Sequence, residues 1–394
     1  MGSSGSPLLA LVSQEDLQRI SSKQEDLQLR KPRPYTPSIW RDFFLKHQPC
    51  TPSQLLSMKE SARIKQEEVR QIILDTCSAS SSQLARKLEL VDTLQRIGVG
   101  YHYRKEIDEL LRDVHDTQRP EEACDDELYV SSLRFYLLRK HGYTVSSDVF
   151  VKFRDDQGNF ATSNDVKYLL ALHDAAHLRT RGEEILDDAI TFTKNRLKSM
   201  MKTLDPELEA EVEYTLETPS YRRVERVEAR RYISLYEKNA TRNDTILEFA
   251  KMDYNILQAL YCEELKALTV WWKGLKSQAY ARFARDRVAE IHFWMLGVVY
   301  EPHQSFSRIV LAKWLKLVSV MDDFCDNYST TEEYEILISS MERWDKQAAE
   351  KLPAYMKELF IFILNTINGI VEELKLQKNK HAEFAKELVS FDPN

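Results

Sequence analysis

Glycine and proline, the two residues on which tight turns depend, are scarce in this chain. It contains 10 glycines and 12 prolines among 394 residues, whereas average proteins contain roughly 7% and 5% of them. Proteins built from sheets join many short strands by tight turns, so they need both residues often. The scarcity therefore predicts long helices joined by few loops, and an all-α fold.

Helical periodicity and helix-end signals support that prediction from about residue 53 onward. The basic end of the run before Gly142 is typical of a helix C-terminus, and Ser329 or Thr330 can cap the helix that follows. Asp244 is predicted to cap the longest amphipathic run. No repeat at a fixed period and no sustained heptad pattern is apparent.

The periodic segments fall into two blocks separated somewhere between residues 205 and 240. We therefore predict a flexible N-terminal arm at 1–32, an N-terminal helical domain at 33–230 and a C-terminal helical domain at 231–394. Both domains are expected to consist of helices alone.

Charge and cysteine usage exclude several classes of function. The net charge is −7 and no long basic stripe is present, which does not suit a protein that binds nucleic acid. Five scattered cysteines without a C-x-x-C pair suit a reducing compartment and argue against a disulfide framework. No apolar run approaches the roughly 18 residues of a membrane span. A cytosolic protein that binds neither membrane nor nucleic acid is expected.

Three aspartates follow an apolar run in "LVSVMDDFCDNY", residues 317–328. On a helix, Asp322 and Asp326 project from one face, and Asp323 flanks them. Carboxylate oxygens in this arrangement suit Mg²⁺, which takes one or two protein carboxylates together with waters and phosphates. The alternative is a solvated helix end, although acidic residues at a helix C-terminus oppose the macrodipole. These residues alone leave both interpretations open.

Two arginines and a tryptophan lie upstream of the aspartates. Arg285 and Arg287 in "RDR" precede a helix-like stretch, where two arginines can jointly hold a diphosphate. Such pairs are more often solvated charges. Trp294 follows on the same helical face; an aromatic residue there is usually core, but facing a cavity it can stabilise a cation. Taken with the carboxylates, these side chains describe the ionisation of a prenyl diphosphate.

The stretch 282–345, with "RFARDRVAEIHFW" and "VMDDFCDNY", closely resembles the class I plant terpene synthases of the sesquiterpene branch. So do "RPYTPSIWRDFFL", "GYTVSSDVFVKF", "HDAAHLRTRGEEILDDAITFT" and "EFAKMDYNILQALYCEEL", and the likeness covers nearly all of the chain from Arg33 onward. The resemblance implies an N-terminal α-barrel-like domain largely without catalytic residues. It also implies a class I terpenoid synthase α-bundle that holds the active site.

The resemblance assigns the metal site. Asp322, Asp323 and Asp326 correspond to the aspartate-rich DDxxD motif, with Asp322 and Asp326 as the direct metal ligands. The implied cofactor is Mg²⁺, with Mn²⁺ as the alternative ion, acting as a Lewis acid on the departing diphosphate. Together with Arg285, these two aspartates would also contact the substrate.

The resemblance also assigns catalytic and structural roles to other residues. Arg285 and Arg287 would receive the diphosphate leaving group, and Trp294 would line a water-free pocket that shelters the carbocation. Arg33 and Trp40 resemble the arginine–tryptophan element near the mature N-terminus of the family, with a shorter spacing here. The short segment before Arg33 favours the cytosol, and farnesyl rather than geranyl diphosphate as the substrate.

The second metal motif of the family, N/D-D-x-x-S/T-x-x-x-E, is not found. Its nearest match starts at Asn365 and ends at Glu373, but has Thr366 and Gly369 where Asp and Ser/Thr belong. We therefore expect a C-terminally truncated chain with an incomplete α-bundle. The family is expected to be monomeric, but the uncovered apolar faces of a truncated bundle would favour self-association.

Three hypotheses of function follow. The first is a Mg²⁺-dependent enzyme that ionises and cyclises farnesyl diphosphate to a sesquiterpene and releases diphosphate. The second is a catalytically inactive truncated paralogue or gene-model fragment. The third, a helical interaction scaffold of unrelated descent, fits the composition but leaves the spacing of arginines, tryptophan and aspartates unexplained.

Overall fold

The structure is a computed structural model that describes residues 35–78, 83–117, 127–155, 157, 159–160, 165–276, 284–327, 329–344 and 347–376. Within these ranges the regular structure is helical, with one isolated β-bridge between Arg154 and Phe160 and no strand. The prediction of an all-α fold is confirmed. None of the helices in these ranges has both the length and the apolar character needed to cross a membrane.

The described α-helices are, in chain order, α1 Phe43–Lys46, α2 Pro52–Ser78, α3 Leu84–Arg96, α4 Arg104–Asp116, α5 Glu127–Lys140, α6 Val166–Ala176, α7 Glu184–Met200, α8 Pro206–Glu217, α9 Glu225–Lys238, α10 Asp244–Lys276, α11 Val288–Val298, α12 Ser305–Asn327, α13 Thr331–Arg343 and α14 Ala354–Leu376. Short 3₁₀ turns lie at Gly100–Tyr103, Ser147–Phe153, Met201–Thr203, Ser220–Arg222, Pro302–Gln304 and Ala348–Lys351.

The chain divides into two compact units. We call Pro49–Leu260 the N-terminal unit, and the described residues of Met1–Gln48 and Tyr261–Asn394 the C-terminal unit. The division falls within α10, so it differs from the limits predicted from the sequence. The predicted domains at 33–230 and 231–394 stay a prediction, and the predicted arm at 1–32 lies outside the described residues.

Several helix ends follow directly from local sequence. The side chains of Asp165 and Asp205 accept backbone N–H groups at the starts of α6 and α8. Thr330 and Glu333 form a capping box at the start of α13, which confirms one of the two predicted caps. After α5, Gly142 adopts φ +81°, a left-handed conformation that favours glycine, so the predicted stop is also confirmed.

The core of the N-terminal unit surrounds α5. Residues on every side of this helix are buried, and Leu137 and Leu138 are fully inaccessible. The helix contacts α3, α4 and α6, while α6 also packs against α7. A helix that is apolar all round can only be stable when other helices cover it, which explains the central place of α5.

A cluster of buried and half-buried charges ties α3, α8 and α9 together, and we call it the arginine–glutamate cluster (Arg96, Glu211, Arg223, Glu228 and Arg231). Glu228 Oε1 lies 3.0–3.1 Å from the guanidinium groups of all three arginines, and Arg96 and Arg231 also contact Glu211. Burial alone would raise the pKa of Glu228, but the arginines outweigh it, so this pKa is lowered.

The C-terminal unit has its own core, formed by the last part of α10 with α11, α12, α13 and α14. A second buried group of charges, the glutamate–histidine–arginine cluster (Glu264, His292 and Arg308), links α10, α11 and α12. Arg308 reaches both oxygens of Glu264, at 2.6 and 3.0 Å, and His292 Nε2 lies 2.7 Å from Glu264. Arg308 also donates to the carbonyl of Glu301 at 2.7 Å.

Candidate active site

The three aspartates of the DDxxD sequence lie in the last turns of α12 and do not share one environment. The buried face of this helix carries Leu317, Val320 and Phe324. Asp323 lies on the same side as this apolar face and is 2% exposed, whereas the side chain of Asp322 is 58% exposed and Asp326 is also exposed. The helix thus turns two carboxylates outward and one inward.

Asp323 contacts the chain itself. Its Oδ2 accepts the backbone N–H of Arg285 at 2.8 Å, and its Oδ1 accepts the hydroxyl of Tyr35 at 3.2 Å. Arg285 Nε lies 2.6 Å from Oδ1, a contact with the geometry of an ion pair rather than a directed hydrogen bond. A buried carboxylate needs such partners, so Asp323 anchors the segment that carries the arginines. Its predicted role as a metal ligand stays a prediction.

Lys316 holds the same segment from its other side. This lysine is 1% exposed, and its Nζ donates to the backbone carbonyl of Arg285 and lies 4.1 Å from the ring centre of Trp272. Lys316 and Asp323 lie two turns apart on one face of α12. Together they bind both backbone polar groups of Arg285 and hold its backbone in place.

The guanidinium group of Arg285 bridges two aspartates. Nη2 donates to Asp322 Oδ2 at 2.9 Å, on the exposed side, while Nε faces the buried Asp323. Burial disfavours the charged form of Arg285, but Asp323, Tyr35 and Asp322 outweigh it and raise its pKa. We call Arg285, Asp322 and Asp323, with Tyr35 and Lys316, the arginine–aspartate site.

Arg287 occupies the N-cap position of α11. Its backbone carbonyl accepts the N–H of Ile291, and its Nη1 donates to the carbonyl of Asp286 at 3.0 Å. In the described part of the chain, no contact joins Arg287 to the aspartates of α12. Both arginines nonetheless lie at the N-terminal end of α11, where free N–H groups and the helix dipole favour an anion.

Trp294 lies on α11 and is 63% exposed, beside the exposed Phe293 and Val298. Its predicted role against a carbocation stays a prediction. Trp40 packs with Phe43 and Phe44, at ring-centre distances of 5.9 and 5.3 Å. Its predicted partner Arg33 lies outside the described residues, so the arginine–tryptophan element also stays a prediction.

The carboxylates of α12 fit a metal ion that takes most of its ligands from outside this helix. No group of three or more histidine, cysteine or acidic side chains within the described ranges is arranged to hold a metal ion. Asp322 and Asp326 present two exposed carboxylates on one helical face. Mg²⁺ commonly binds one or two carboxylates and completes its shell with water and phosphate oxygens. The pair therefore fits a magnesium–diphosphate complex.

The nearest sequence match to a second metal motif lies along α14. Asn365, Gly369 and Glu373 are exposed, while Thr366 accepts a hydrogen bond from Trp271 Nε1 at 3.2 Å. Thr366 therefore takes part in the packing between α10 and α14.

A cavity of about 970 Å³ lies within the N-terminal unit and is lined by none of the predicted site residues. Its polar wall includes Asp92, Tyr136 and Tyr232, as well as Arg96 and Glu211 of the arginine–glutamate cluster. Burial raises the pKa of Asp92.

Two residues of the arginine–aspartate site, Tyr35 and Lys316, were not predicted from the sequence. Tyr35 gave no signal beyond its place between Arg33 and Trp40. Lys316 could have been noticed, because a lysine within an apolar helical run and two turns before Asp323 shares one helical face with it.

Comparison with protein families matches both parts of the chain. The family model described as "Terpene synthase, N-terminal domain" matches residues 39–216. The model described as "Terpene synthase family, metal binding domain" matches residues 273–390 and so includes the three aspartates.

Curated relatives and solved structures agree with these matches. The chain is 49% identical over 353 residues to an (E)-beta-caryophyllene synthase of Zea mays, covering 89% of this chain and 63% of that protein. It is 46% identical over 356 residues to an (E)-beta-farnesene synthase of Zea mays, covering 90% and 65%. The chain thus spans somewhat less than two thirds of the length of these relatives.

Among solved structures, isoprene synthase from grey poplar in complex with three Mg²⁺ ions and dimethylallyl-S-thiolodiphosphate superposes with a TM-score of 0.75 at 34% identity. That match covers 82% of this chain and 62% of the other.

Proposed function

The chain belongs to the terpene synthase family, and from that membership we propose that it acts in the metal-dependent ionisation and cyclisation of farnesyl diphosphate to a sesquiterpene, with release of diphosphate. The observation that carries the proposal is the contact of Arg285 with Asp322 and Asp323. It brings an anion-binding side chain and the proposed metal ligands to one place.

The substrate is proposed from the relatives. Several curated relatives are named as caryophyllene, farnesene and zingiberene synthases, whose products are sesquiterpenes. This supports farnesyl diphosphate over shorter prenyl diphosphates. Five scattered cysteines without a C-x-x-C pair suit a reducing compartment, and we propose the cytosol.

In the proposed mechanism, Asp322 and Asp326 would hold the divalent metal, which we take to be Mg²⁺ with Mn²⁺ as the alternative. When bound, the metal supplies Lewis-acid polarisation of the leaving diphosphate. Arg285 and Arg287 bind the diphosphate oxygens through charge-assisted hydrogen bonds. As the carbon–oxygen bond of the substrate breaks, its electron pair departs with the diphosphate, and these arginines stabilise the growing negative charge.

The residues around this constellation have positioning roles in the proposal. Asp323 and Lys316 fix the backbone of Arg285, so its side chain needs little reorganisation when the leaving group forms. Trp294 presents an aromatic face that can stabilise the allylic carbocation.

The test is turnover by the purified chain. Farnesyl diphosphate and MgCl₂ should yield a volatile hydrocarbon by gas chromatography and free diphosphate in a coupled assay. Asp322→Asn should lower the rate of diphosphate release by about a hundredfold or more, because several kcal/mol of charge stabilisation depend on the metal. Glu335→Gln, an exposed acid on α13, is the matched control and should retain the rate.

The alternative named from the sequence, a catalytically inactive chain, is not favoured by the relatives, which are named as synthases. It predicts a folded protein, by circular dichroism, that forms neither hydrocarbon nor diphosphate. That result would reject catalysis by this chain.

A further inference from the structure

Arg285 touches two aspartates at once, and the two contacts differ in kind. The inner contact joins Nε to Asp323, whose carboxylate is 2% exposed and also bound by the backbone of Arg285 and by Tyr35. The outer contact joins Nη2 to Asp322 at 2.9 Å, between side chains that are 41% and 58% exposed. The inner end of the guanidinium is therefore fixed, and its outer end lies at the surface.

The outer contact is one that a ligand can replace. Exposed ion pairs contribute little free energy, since water and salt compete for both partners. Breaking the inner contact would leave a buried carboxylate short of a partner, which is far more costly. Exchange of partners at Asp322 can thus occur without displacing Arg285 from Asp323.

The same outer contact blocks two ligands. While Nη2 is paired with Asp322, this carboxylate is partly neutralised for a cation. The guanidinium is equally occupied toward an anion. Arg285 competes with a cation for Asp322, and Asp322 competes with an anion for Arg285.

We propose that Arg285 and Asp322 form a mutual block in the free chain, and that metal and diphosphate assist each other's binding by releasing this pair. The inference rests on the proposed function, because it takes a divalent metal and a diphosphate as the ligands of the site. Thermodynamic linkage requires the assistance to be reciprocal.

The proposal fixes the direction of two effects that damage to the fold could not produce. Removing Arg285 should tighten the binding of a divalent metal in the absence of diphosphate. Removing Asp322 should tighten the binding of diphosphate in the absence of metal. A residue with only a structural role would weaken both.

The metal arm uses Mn²⁺ alone, followed by the electron paramagnetic resonance signal of the free ion. Arg285→Gln should bind Mn²⁺ about three- to fivefold more tightly than the parent chain, the effect of freeing an exposed ion pair. Arg287→Gln is the matched control, since it removes a charge from the same segment without touching Asp322, and should change binding by about twofold at most. In an Asp322→Asn background, Arg285→Gln should give no gain.

The anion arm uses inorganic pyrophosphate with EDTA, followed by calorimetry. Asp322→Asn should bind pyrophosphate about fivefold more tightly than the parent chain, because it frees Nη2 of Arg285. Asp326→Asn is the matched control: it removes the same charge from the same face of α12, and its general electrostatic effect should stay near twofold. Asp322 is exposed, so this arm remains decisive if Arg285→Gln does not fold.

The outcomes separate the inference from the proposed function. If Asp322→Asn and Asp326→Asn weaken Mn²⁺ binding but neither predicted gain is seen beyond its control, the mutual block is wrong and the proposed site stands. If neither aspartate variant changes Mn²⁺ binding, the proposed metal site itself is wrong. Gains in both arms, above both controls, support the inference.

Discussion

The arginine–glutamate cluster of the N-terminal unit and the arginine–aspartate site of the C-terminal unit use the same chemistry and differ in closure. In the first, the side chains of Arg223 and Glu228 are 1% and 8% exposed, and Glu228 is surrounded by three arginines. In the second, Arg285 meets a buried Asp323 on one side and an exposed Asp322 on the other. The shared carboxylate of the first cluster, Glu228, is enclosed by its partners, whereas the second keeps an exposed, exchangeable contact at Asp322.

The difference between the two clusters shows how a structural charge cluster can be distinguished from one that binds a ligand. A closed cluster is costly to disturb, because removal of one partner leaves buried charges uncompensated. An open one loses little free energy when a partner is exchanged. Closure, rather than the types of residue, therefore indicates which cluster serves stability and which can serve a ligand.

The C-terminal unit offers a convenient local probe for testing this comparison. All six tryptophans, at positions 40, 271, 272, 294, 314 and 344, belong to it. Tryptophan fluorescence therefore reports on the C-terminal unit alone, whereas hydrogen exchange resolved by peptide reports on each unit separately.

The largest effect is expected from Glu228→Gln. It removes the negative charge shared by Arg96, Arg223 and Arg231, and should lower the free energy of unfolding by about 3–5 kcal/mol. Urea unfolding by far-UV circular dichroism measures the loss, and exchange should accelerate in α8 and α9. The exposed Glu213→Gln on α8 should stay within about 0.5 kcal/mol. A loss below about 1 kcal/mol would contradict the structural role of closure.

Arg308→Met tests whether the loss of stability depends on the enclosure of the charges or on the unit in which the cluster lies. Arg308 is fully buried in the C-terminal unit and contacts Glu264 through two nitrogens. We expect a loss of about 3 kcal/mol, less than for Glu228 because His292 still contacts Glu264. Tryptophan fluorescence in urea measures it. A negligible loss would show that burial of a closed cluster does not by itself predict stability.

Acid should weaken the closed cluster in a defined range of pH. The pKa of Glu228 is lowered from its ordinary 4.5, so as the pH falls the unfolded chain takes up the proton first. The stabilisation is thus complete above about pH 4.5 and is lost as the pH falls through the folded pKa. The stability difference between the parent chain and Glu228→Gln should be constant from pH 7 to 5.5 and narrow below 4.5. A constant difference down to pH 3.5 would contradict this.

Lys316→Met tests the inner side of the arginine–aspartate site. Methionine fills a similar volume but cannot bind the carbonyl of Arg285, so we expect a loss of about 1–2 kcal/mol. The effect should be concentrated in faster hydrogen exchange at 285–287. Lys313→Met is the control on the same helix, because Lys313 lies near the ring of Trp271 rather than at the carbonyl of Arg285. Equal hydrogen-exchange rates at 285–287 in both variants would contradict the positioning role of Lys316.

The smallest effect is expected from Tyr35→Phe. It removes one hydroxyl, 3.2 Å from Asp323, and leaves the ring in place. We expect a loss of about 0.5–1 kcal/mol in tryptophan-detected unfolding. Tyr334→Phe, at an exposed tyrosine of α13, should show no change. If the two variants behave alike, the N-terminal segment does not support Asp323.

Much of the fold was readable from the sequence because its causes are local. The scarcity of turn residues predicted helices, and Gly142 and Thr330 marked helix ends at the positions where they occur. That Asp322 and Asp326 share one helical face also follows from helical spacing alone. By contrast, no local rule predicted that Asp323 would turn inward and bind Arg285.

The sequence by itself determined the helices, the family and the residue types available for metal and diphosphate. Only the tertiary structure decided which charges are enclosed and which remain exchangeable. Tyr35 and Asp323 are 288 positions apart, and Arg285 and Asp323 are 38 apart. Helix signals act within a few residues, whereas burial and ion pairing depend on what packing brings together across the chain. The two groups therefore use the same types of residue, and they differ in how far packing encloses their charges.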